Sequence, residues 1–152
     1  MNLVKQCIKD LKDQEIYQWN DYYPTVHHIT ESMANNTLYI LEENNEYTGI
    51  VSLTEEQPSE YKILKWEDHR GKAIVITKLM VNPKFQQMGY GRKLMDFAEN
   101  SAKIEGYTSV RLDAYSGNLK AIKLYEDRKY KKIGKVWFPH RELPFYCYEK
   151  LF

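Results

Sequence analysis

Residues 73–92 read AIVITKLMVNPKFQQMGYGR, a strand-like run that breaks at Asn82-Pro83 and resumes as a helix. Ile74, Val75, Ile76, Thr77 and Val81 are β-branched, which suits a pleated and well-buried backbone, so a strand is predicted over Ala73–Val81. Pro83 has no amide hydrogen and pushes Asn82 away from helical angles, so the strand ends there. From Tyr90 onward Leu94, Phe97, Ala98, Ser101 and Ala102 recur at helical spacing, with Gly106 as the stop. Between strand and helix lies the loop Gln86-Gln87-Met88-Gly89-Tyr90-Gly91.

The start of a helix presents unpaired N–H groups and about half a positive charge, so a loop that turns its own amides the same way seats an anion. Gly89 and Gly91 allow close approach of the backbone or a positive φ. The same glycines also suit a strand-to-helix turn that binds nothing, and two glycines alone do not separate these readings. The pattern lacks the G-x-G-x-x-G spacing of dinucleotide folds and the Lys-Ser/Thr of a P-loop.

A chain of 152 residues suits one domain, 1–152, with a sizeable core. Basic and acidic residues number 22 and 21 with no long basic block, which argues against nucleic acid and against an anionic membrane surface as partners. No apolar run approaches the roughly 20 residues of a membrane span, and the N-terminus lacks the form of a signal peptide, so a cytoplasmic location is expected. Cys7 and Cys147 lack metal-type spacing and are expected to be reduced and buried; no metal site is expected.

On the N-terminal side, residues 2–14 put Val4, Cys7, Ile8 and Leu11 on one helical face. An aromatic connection over 17–23 leads to Pro24 and Thr25, which open a second helix through Val26, Ile29 and Met33. Its rings either pack the two helices together or line a binding pocket. Residues 37–41 and 47–53 predict a hairpin that turns over 42–46. Residues 54–72 are charged and irregular, and read as a surface loop or a ragged strand extension. On the C-terminal side, 108–115 predicts a strand with Val110, Leu112 and Ala114 on one face and Arg111 and Asp113 on the other. Ser116-Gly117-Asn118 then caps a helix carrying Ala121, Ile122, Leu124 and Tyr125. Residues 130–137 and 145–151 predict a closing antiparallel pair. No internal repeat, low-complexity tract or linker interrupts the chain.

The loop from Gln86 to Gly91 matches Q/R-x-x-G-x-G/A, the motif of the GNAT superfamily of N-acetyltransferases. Leu79-Met80-Val81, Pro83, Asn118 and Leu124-Tyr125-Glu126 match further family positions in order. The predicted order α-α-β-β-β-α-β-α-β-β resembles that fold over nearly the whole chain. The resemblance implies an α/β fold with a mixed, mostly antiparallel sheet flanked by helices. The first family strand is expected to be missing, since no residues precede the first helix to form it. That gap leaves a sheet edge to be covered, for which a homodimer is one solution.

The resemblance also implies acetyl-CoA as co-substrate and a site built from this motif. The pyrophosphate would sit on amides of Gln87, Met88, Gly89, Tyr90, Gly91 and Arg92, in the motif that Gln86 opens. The pantetheine arm would follow the backbone of Leu79, Met80 and Val81. Asn118 matches a position near the acyl region, although capping a helix is equally natural for it. Tyr125 matches the family tyrosine that protonates the departing thiolate, and a phenol stays protonated at neutral pH. The implied reaction is acetyl transfer to a primary amine of a small molecule or peptide, by direct attack in a ternary complex. Many relatives carry a glutamate base on the central strand where this chain has Thr77 and Lys78, so Glu55, Glu56, His69 and His140 stay open as bases. An acyl-CoA-binding or regulatory domain with little activity is the alternative. The acceptor is expected near residues 17–23 and 138–144, where Asp21 and Glu142 would hold a cationic amine.

Overall fold

The computed structural model describes residues 1–152. Its elements are α1 (Asn2–Asp13), α2 (Val26–Ala34), β1 (Leu38–Glu43), β2 (Glu46–Thr54), β3 (Ala73–Val81), α3 (Tyr90–Ile104), β4 (Ser109–Tyr115), α4 (Leu119–Asp127), β5 (Lys131–Val136) and β6 (Phe145–Leu151). This is the predicted order, and it begins with a helix. Short 3-10 turns over Ser59–Ile63 and Pro83–Phe85 stand before and after β3. The strands hydrogen-bond in the order β1-β2-β3-β4-β6-β5. β3 and β4 pair in parallel; β1 with β2, β4 with β6 and β5 with β6 are antiparallel. The sheet is therefore mixed and mostly antiparallel. No helix is long and apolar enough to cross a membrane.

The chain packs as two compact units, Met1–Leu53 with Thr77–Ala98 and Thr54–Ile76 with Glu99–Phe152. In the first, Val4, Cys7, Ile29, Ile50 and Met80 form a buried cluster edged by Leu3, Ile8, Trp19 and Leu38. The α1 stripe is as the spacing predicts. Helix α2 is not: Ile29 and Ser32 are 7% and 6% exposed, whereas Val26 and Met33 keep 57% and 58% of their surface. Ser32 can face inward because its hydroxyl donates to His28 O at 2.9 Å, which satisfies a buried polar group within the helix itself. Thr25 and His28 close a capping box that sets where α2 begins. The hairpin turns on Asn44 and Asn45, both left-handed at φ 52° and 61°. That is the backbone a two-residue loop demands, so the turn is tighter than the predicted 42–46. At Gly49 of β2 a Cβ would lie 2.8 Å from both Met80 O and Leu94 Cδ1, so only glycine fits.

In the second unit β4 is covered on both faces. Val110, Leu112 and Ala114 are buried, and so is Arg111, while Asp113 is half-buried. Residues 54–72 cover the Arg111 and Asp113 face, which corrects the reading of this segment as a surface loop: Tyr61 and Asp68 are buried in it. Glu149 of β6 accepts hydrogen bonds from Glu67 N at 2.7 Å, Asp68 N at 3.1 Å and Arg111 Nε at 2.8 Å. Arg111 in turn reaches Gln57 Oε1 at 2.8 Å, and its guanidinium lies 4.4 Å from the centre of the Trp66 ring. Charged long-range contacts, rather than an apolar stripe, order this segment. Helix α3 ends in a Schellman motif: Tyr107 N donates to Ala102 O at 2.9 Å and Gly106 N to Lys103 O at 3.1 Å, with Gly106 at φ 79°. Phe97, placed by its spacing on the inner face of α3, is 41% exposed, and Met95 is buried instead.

Candidate active site

In the first unit, the loop after β3 is fixed at both ends before it meets any ligand. Asn82 accepts Lys84 N through Oδ1 at 3.0 Å and Phe85 N through its carbonyl at 2.8 Å, which folds the 3-10 turn Pro83–Phe85. Gln86 Nε2 donates to Asp10 Oδ2 of α1 at 3.2 Å, and Gln86 N meets Pro83 O at 3.4 Å. Gln86 therefore ties the loop down and keeps its own donors occupied. At the other end Glu43 of β1 accepts Tyr90 Oη and, at 2.8 Å, Lys93 Nζ. Those two bonds hold the Glu43 carboxyl below its ordinary range, the Lys93 contact acting most strongly.

Between these anchors the backbone turns left-handed at Gln87, φ 62°, and again at Gly89, φ 86°. Space is not what requires glycine at 89, since a Cβ there would meet nothing within 4 Å; the dihedral angle is. Gly91, expected to share that freedom, sits instead in the first turn of α3 without positive φ. Gly89 O accepts Lys93 N at 3.1 Å and so opens the helix. The amides of Gln87, Met88, Gly89, Tyr90, Gly91 and Arg92 donate to no other protein group. Gln87, Met88, Gly89 and Arg92 are exposed. A run of unspent N–H groups at a helix N-terminus, beside the Arg92 side chain, is chemically a seat for an anion.

Upstream, the parallel ladder between β3 and β4 covers only Ala73↔Ser109, Ile74↔Val110 and Val75↔Arg111. Leu79, Met80 and Val81 lie past its end. Val81 O accepts Cys7 Sγ at 3.3 Å. Burial, then the nearby Asp10, pushes the Cys7 thiol up to about 12, so it is no nucleophile. Cys7 and Cys147 are both free and buried.

In the second unit, Asn118 is the N-cap of α4, and its Oδ1 accepts Ala121 N at 3.1 Å. Tyr125, two turns on, is buried with its ring 6.0 Å from Tyr130 and 6.3 Å from Tyr148. Burial raises the pKa of its phenol, and the charge of Asp113 raises it further. Asp113 Oδ2 accepts Tyr61 Oη at 2.6 Å. Its own pKa stands at about 6 because burial raises it more than Tyr61 and Arg141 lower it. Neither Tyr61 nor Asp113 stood out as a functional residue in the sequence. The signal was there in two forms, a carboxylate in mid-strand and two aromatic residues, Tyr61 and Trp66, in an otherwise charged stretch. Glu55, Glu56, His69, His140, Asp21 and Glu142 are all exposed, and Glu55 accepts Tyr107 Oη at 2.6 Å. In the aromatic connection Asn20 Oδ1 accepts Tyr22 N and Tyr23 N, Tyr17 and Tyr22 are exposed, and Trp19 joins the core.

The Asp113 assignment carries a pH signature. Folded, its carboxyl titrates near 6, against about 3.9 for an unfolded chain, so the native state holds a proton that the unfolded state has released. The stabilisation is complete below about pH 4 and is lost as pH rises through about 6. We expect Asp113→Asn to match the parent closely at pH 4 and to exceed it at pH 8 by on the order of 3 kcal/mol. Denaturant midpoints against pH test this, and parallel curves for the two proteins would contradict it.

The family model described as Acetyltransferase (GNAT) family matches residues 4–130. YesJ of Bacillus subtilis strain 168, an uncharacterized N-acetyltransferase, is 24% identical over 135 residues, 87% of this chain and 74% of that one. A GNAT-family acetyltransferase structure from Streptococcus agalactiae 2603 is similar with a TM-score of 0.83 at 15% identity, over 99% of this chain and 87% of that one. A Bacillus anthracis Ames protein solved in complex with acetyl coenzyme A has a TM-score of 0.60 at 19% identity, over 76% of this chain and 61% of that one. At such identities the two structures speak to the fold alone. Since the family model covers most of its length, the chain belongs to the GNAT family of acetyltransferases.

Proposed function

We propose that this chain transfers the acetyl group of acetyl-CoA to a primary amine by direct attack in a ternary complex. The observation that carries the reading is the run of unspent amides from Gln87 to Arg92 at the start of α3. They would receive the diphosphate, with the Arg92 side chain adding charge. Leu79, Met80 and Val81, beyond the end of the β3–β4 ladder, would present peptide groups to an amide-bearing arm. When bound, acetyl-CoA supplies a thioester carbonyl open to a neutral amine. As the amine nitrogen bonds to the carbonyl carbon and the C–S bond breaks, Tyr125 would donate a hydrogen bond to the departing sulfur while the proton shed by the amine passes through solvent to the thiolate. Asn118, by capping α4, fixes the helix that carries Tyr125.

The test is calorimetric titration with desulfo-coenzyme A. The parent protein should bind it, and Gly89→Val, which puts a β-branched side chain at a left-handed dihedral, should weaken binding roughly tenfold. An absence of heat with the parent protein would overturn the reading.

A coenzyme-binding domain with little chemistry is the second reading. One observation favours it: Glu55, Glu56, His69 and His140, the side chains considered as bases, are all exposed. Thiol release from acetyl-CoA across a panel of amines separates the two, because tight binding without release for any amine supports the second.

A further inference from the structure

Lys78 is an ionic group in an unusual place. It lies within β3, yet its φ is 50°, a left-handed angle that is unfavourable for a non-glycine residue and persists where the surroundings impose it. The strand changes character there: Ala73, Ile74, Val75 and Ile76 are buried, whereas Thr77, Lys78 and Leu79 are only partly covered. Lys78 Nζ donates to Ser32 Oγ of α2 at 2.9 Å and stands 5.8 Å from the centre of the Tyr23 ring. It has no ion pair within 4 Å.

Other shielded cations are treated differently. Arg111 has Glu149 at 2.8 Å, and Arg128 and Lys150 share Glu99 at 2.9 and 3.3 Å. Removing a cation from water is costly unless an anion answers it. Burial accordingly lowers the Lys78 pKa, and only Glu31 acts in the opposite sense. His28 is held neutral, first by burial and then by Lys78 itself, and its Nδ1 accepts Thr25 N at 3.0 Å. Beside Lys78, the buried Thr77 Oγ1 has no hydrogen-bond partner. The local balance is a positive charge answered only at a distance, by Glu31, with ammonium donors to spare.

We propose that Lys78, positioned by its bond to Ser32, forms an acceptor subsite for a carboxylate, so that the amine to be acetylated belongs to an amino acid or peptide carrying a free carboxylate. A single ammonium beside a neutral histidine matches a monoanion better than a phosphate dianion. The subsite rests on the acetyl-transfer reading for its place in the reaction, since Lys78 directly precedes Leu79, Met80 and Val81 while the diphosphate loop follows them. Asp21 and Glu142, the carboxylates expected to hold a cationic acceptor, are exposed.

The test uses product-like probes that need no turnover. N-acetylated amino acids and N-acetylated dipeptides are titrated calorimetrically, each against its C-terminal amide. The parent protein should bind the carboxylate form roughly tenfold or more tightly in at least one series, and the tighter series identifies the source. Lys78→Met should erase that preference, and Lys78→Glu should reverse it toward the amide. Thermal unfolding of both variants guards against misfolding. Equal binding of acid and amide, no binding of any probe, or a preference that survives Lys78→Met overturns the subsite. Desulfo-coenzyme A, titrated in parallel, keeps the two readings apart: carboxylate preference without coenzyme binding supports the subsite and sinks acetyl transfer, whereas the converse sinks the subsite alone.

Discussion

Tyr125→Phe should lower kcat on the order of 100-fold or more and leave the affinity for desulfo-coenzyme A within about twofold of the parent. The substitution removes one oxygen and keeps the ring, so the packing against Tyr130 and Tyr148 persists and the fold is not the variable. What would be lost, on the proposed reading, is a donor to sulfur as negative charge develops there. Burial and the Asp113 charge both hold the phenol protonated, so the parent should show no activity loss from tyrosinate formation up to about pH 9. The same shift limits how far the proton moves: a thiol titrates near 8.5 and a phenol near 10, so full transfer is uphill even before the phenol is raised. Tyr125 is thus expected to act mainly as a strong hydrogen-bond donor in the transition state. Single-turnover thiol release decides it. An unchanged rate removes Tyr125 from the mechanism, and a matching loss of coenzyme affinity reassigns it to packing.

The order of elements was legible because most of them announce themselves locally. β3 was placed over Ala73–Val81 from its β-branched run and the proline beyond it, and the structure has the same bounds. Gly106 was read as the stop of α3 and takes the positive φ that role requires. Side-chain placement was harder wherever a polar group had gone inside. Ser32 displaces the expected Met33 from the buried face of α2, since a hydroxyl bonded to its own helix costs little to bury. Arg111 and Asp113 alternate with apolar neighbours as a solvent-facing set would, and nothing in the alternation says that residues 54–72 return to cover them.

For the candidate site, the loop motif pointed to the amides between β3 and α3 but not to how that loop is held. The anchors of that loop, Asp10 on Gln86 and Glu43 on Tyr90 and Lys93, come from 76, 47 and 50 residues away in sequence. Separations of that size carry no periodic signature. Of the two glycines singled out, the structure uses only Gly89 for its dihedral angle. Lys78 entered the sequence reading only as a residue that stands, with Thr77, where many relatives carry a glutamate. Its left-handed φ and its bond to Ser32 of α2 emerge only from the folded chain.

Glu149→Ala is expected to be among the most destabilising single changes in the chain, by about 3–5 kcal/mol. Glu149 is nearly inaccessible and answers three donors at once, the Arg111 guanidinium and the amides of Glu67 and Asp68. Truncation would leave a buried cation without its anion and two amides without an acceptor, and each of these is penalised separately. Arg111 would keep Gln57 and the Trp66 ring, which are neutral partners and compensate only in part. For a domain of this length the loss corresponds to a fall in Tm of roughly 10 °C. Glu149→Gln retains an acceptor for the amides and should lie between the two, so the difference between Gln and Ala isolates the cost of the orphaned amides from that of the unpaired charge. The damage should begin in residues 54–72, because these are the residues Glu149 ties to β6 and β4. Amide exchange of Glu67 and Asp68 should therefore accelerate in Glu149→Ala under conditions where the rest of the second unit stays protected. Thermal unfolding of the three proteins with site-resolved exchange checks both halves. A Tm within about 2 °C of the parent would mean that Arg111 and the two amides regain water once the carboxylate is gone, and that the apolar contacts of Tyr61 hold the segment in place by themselves.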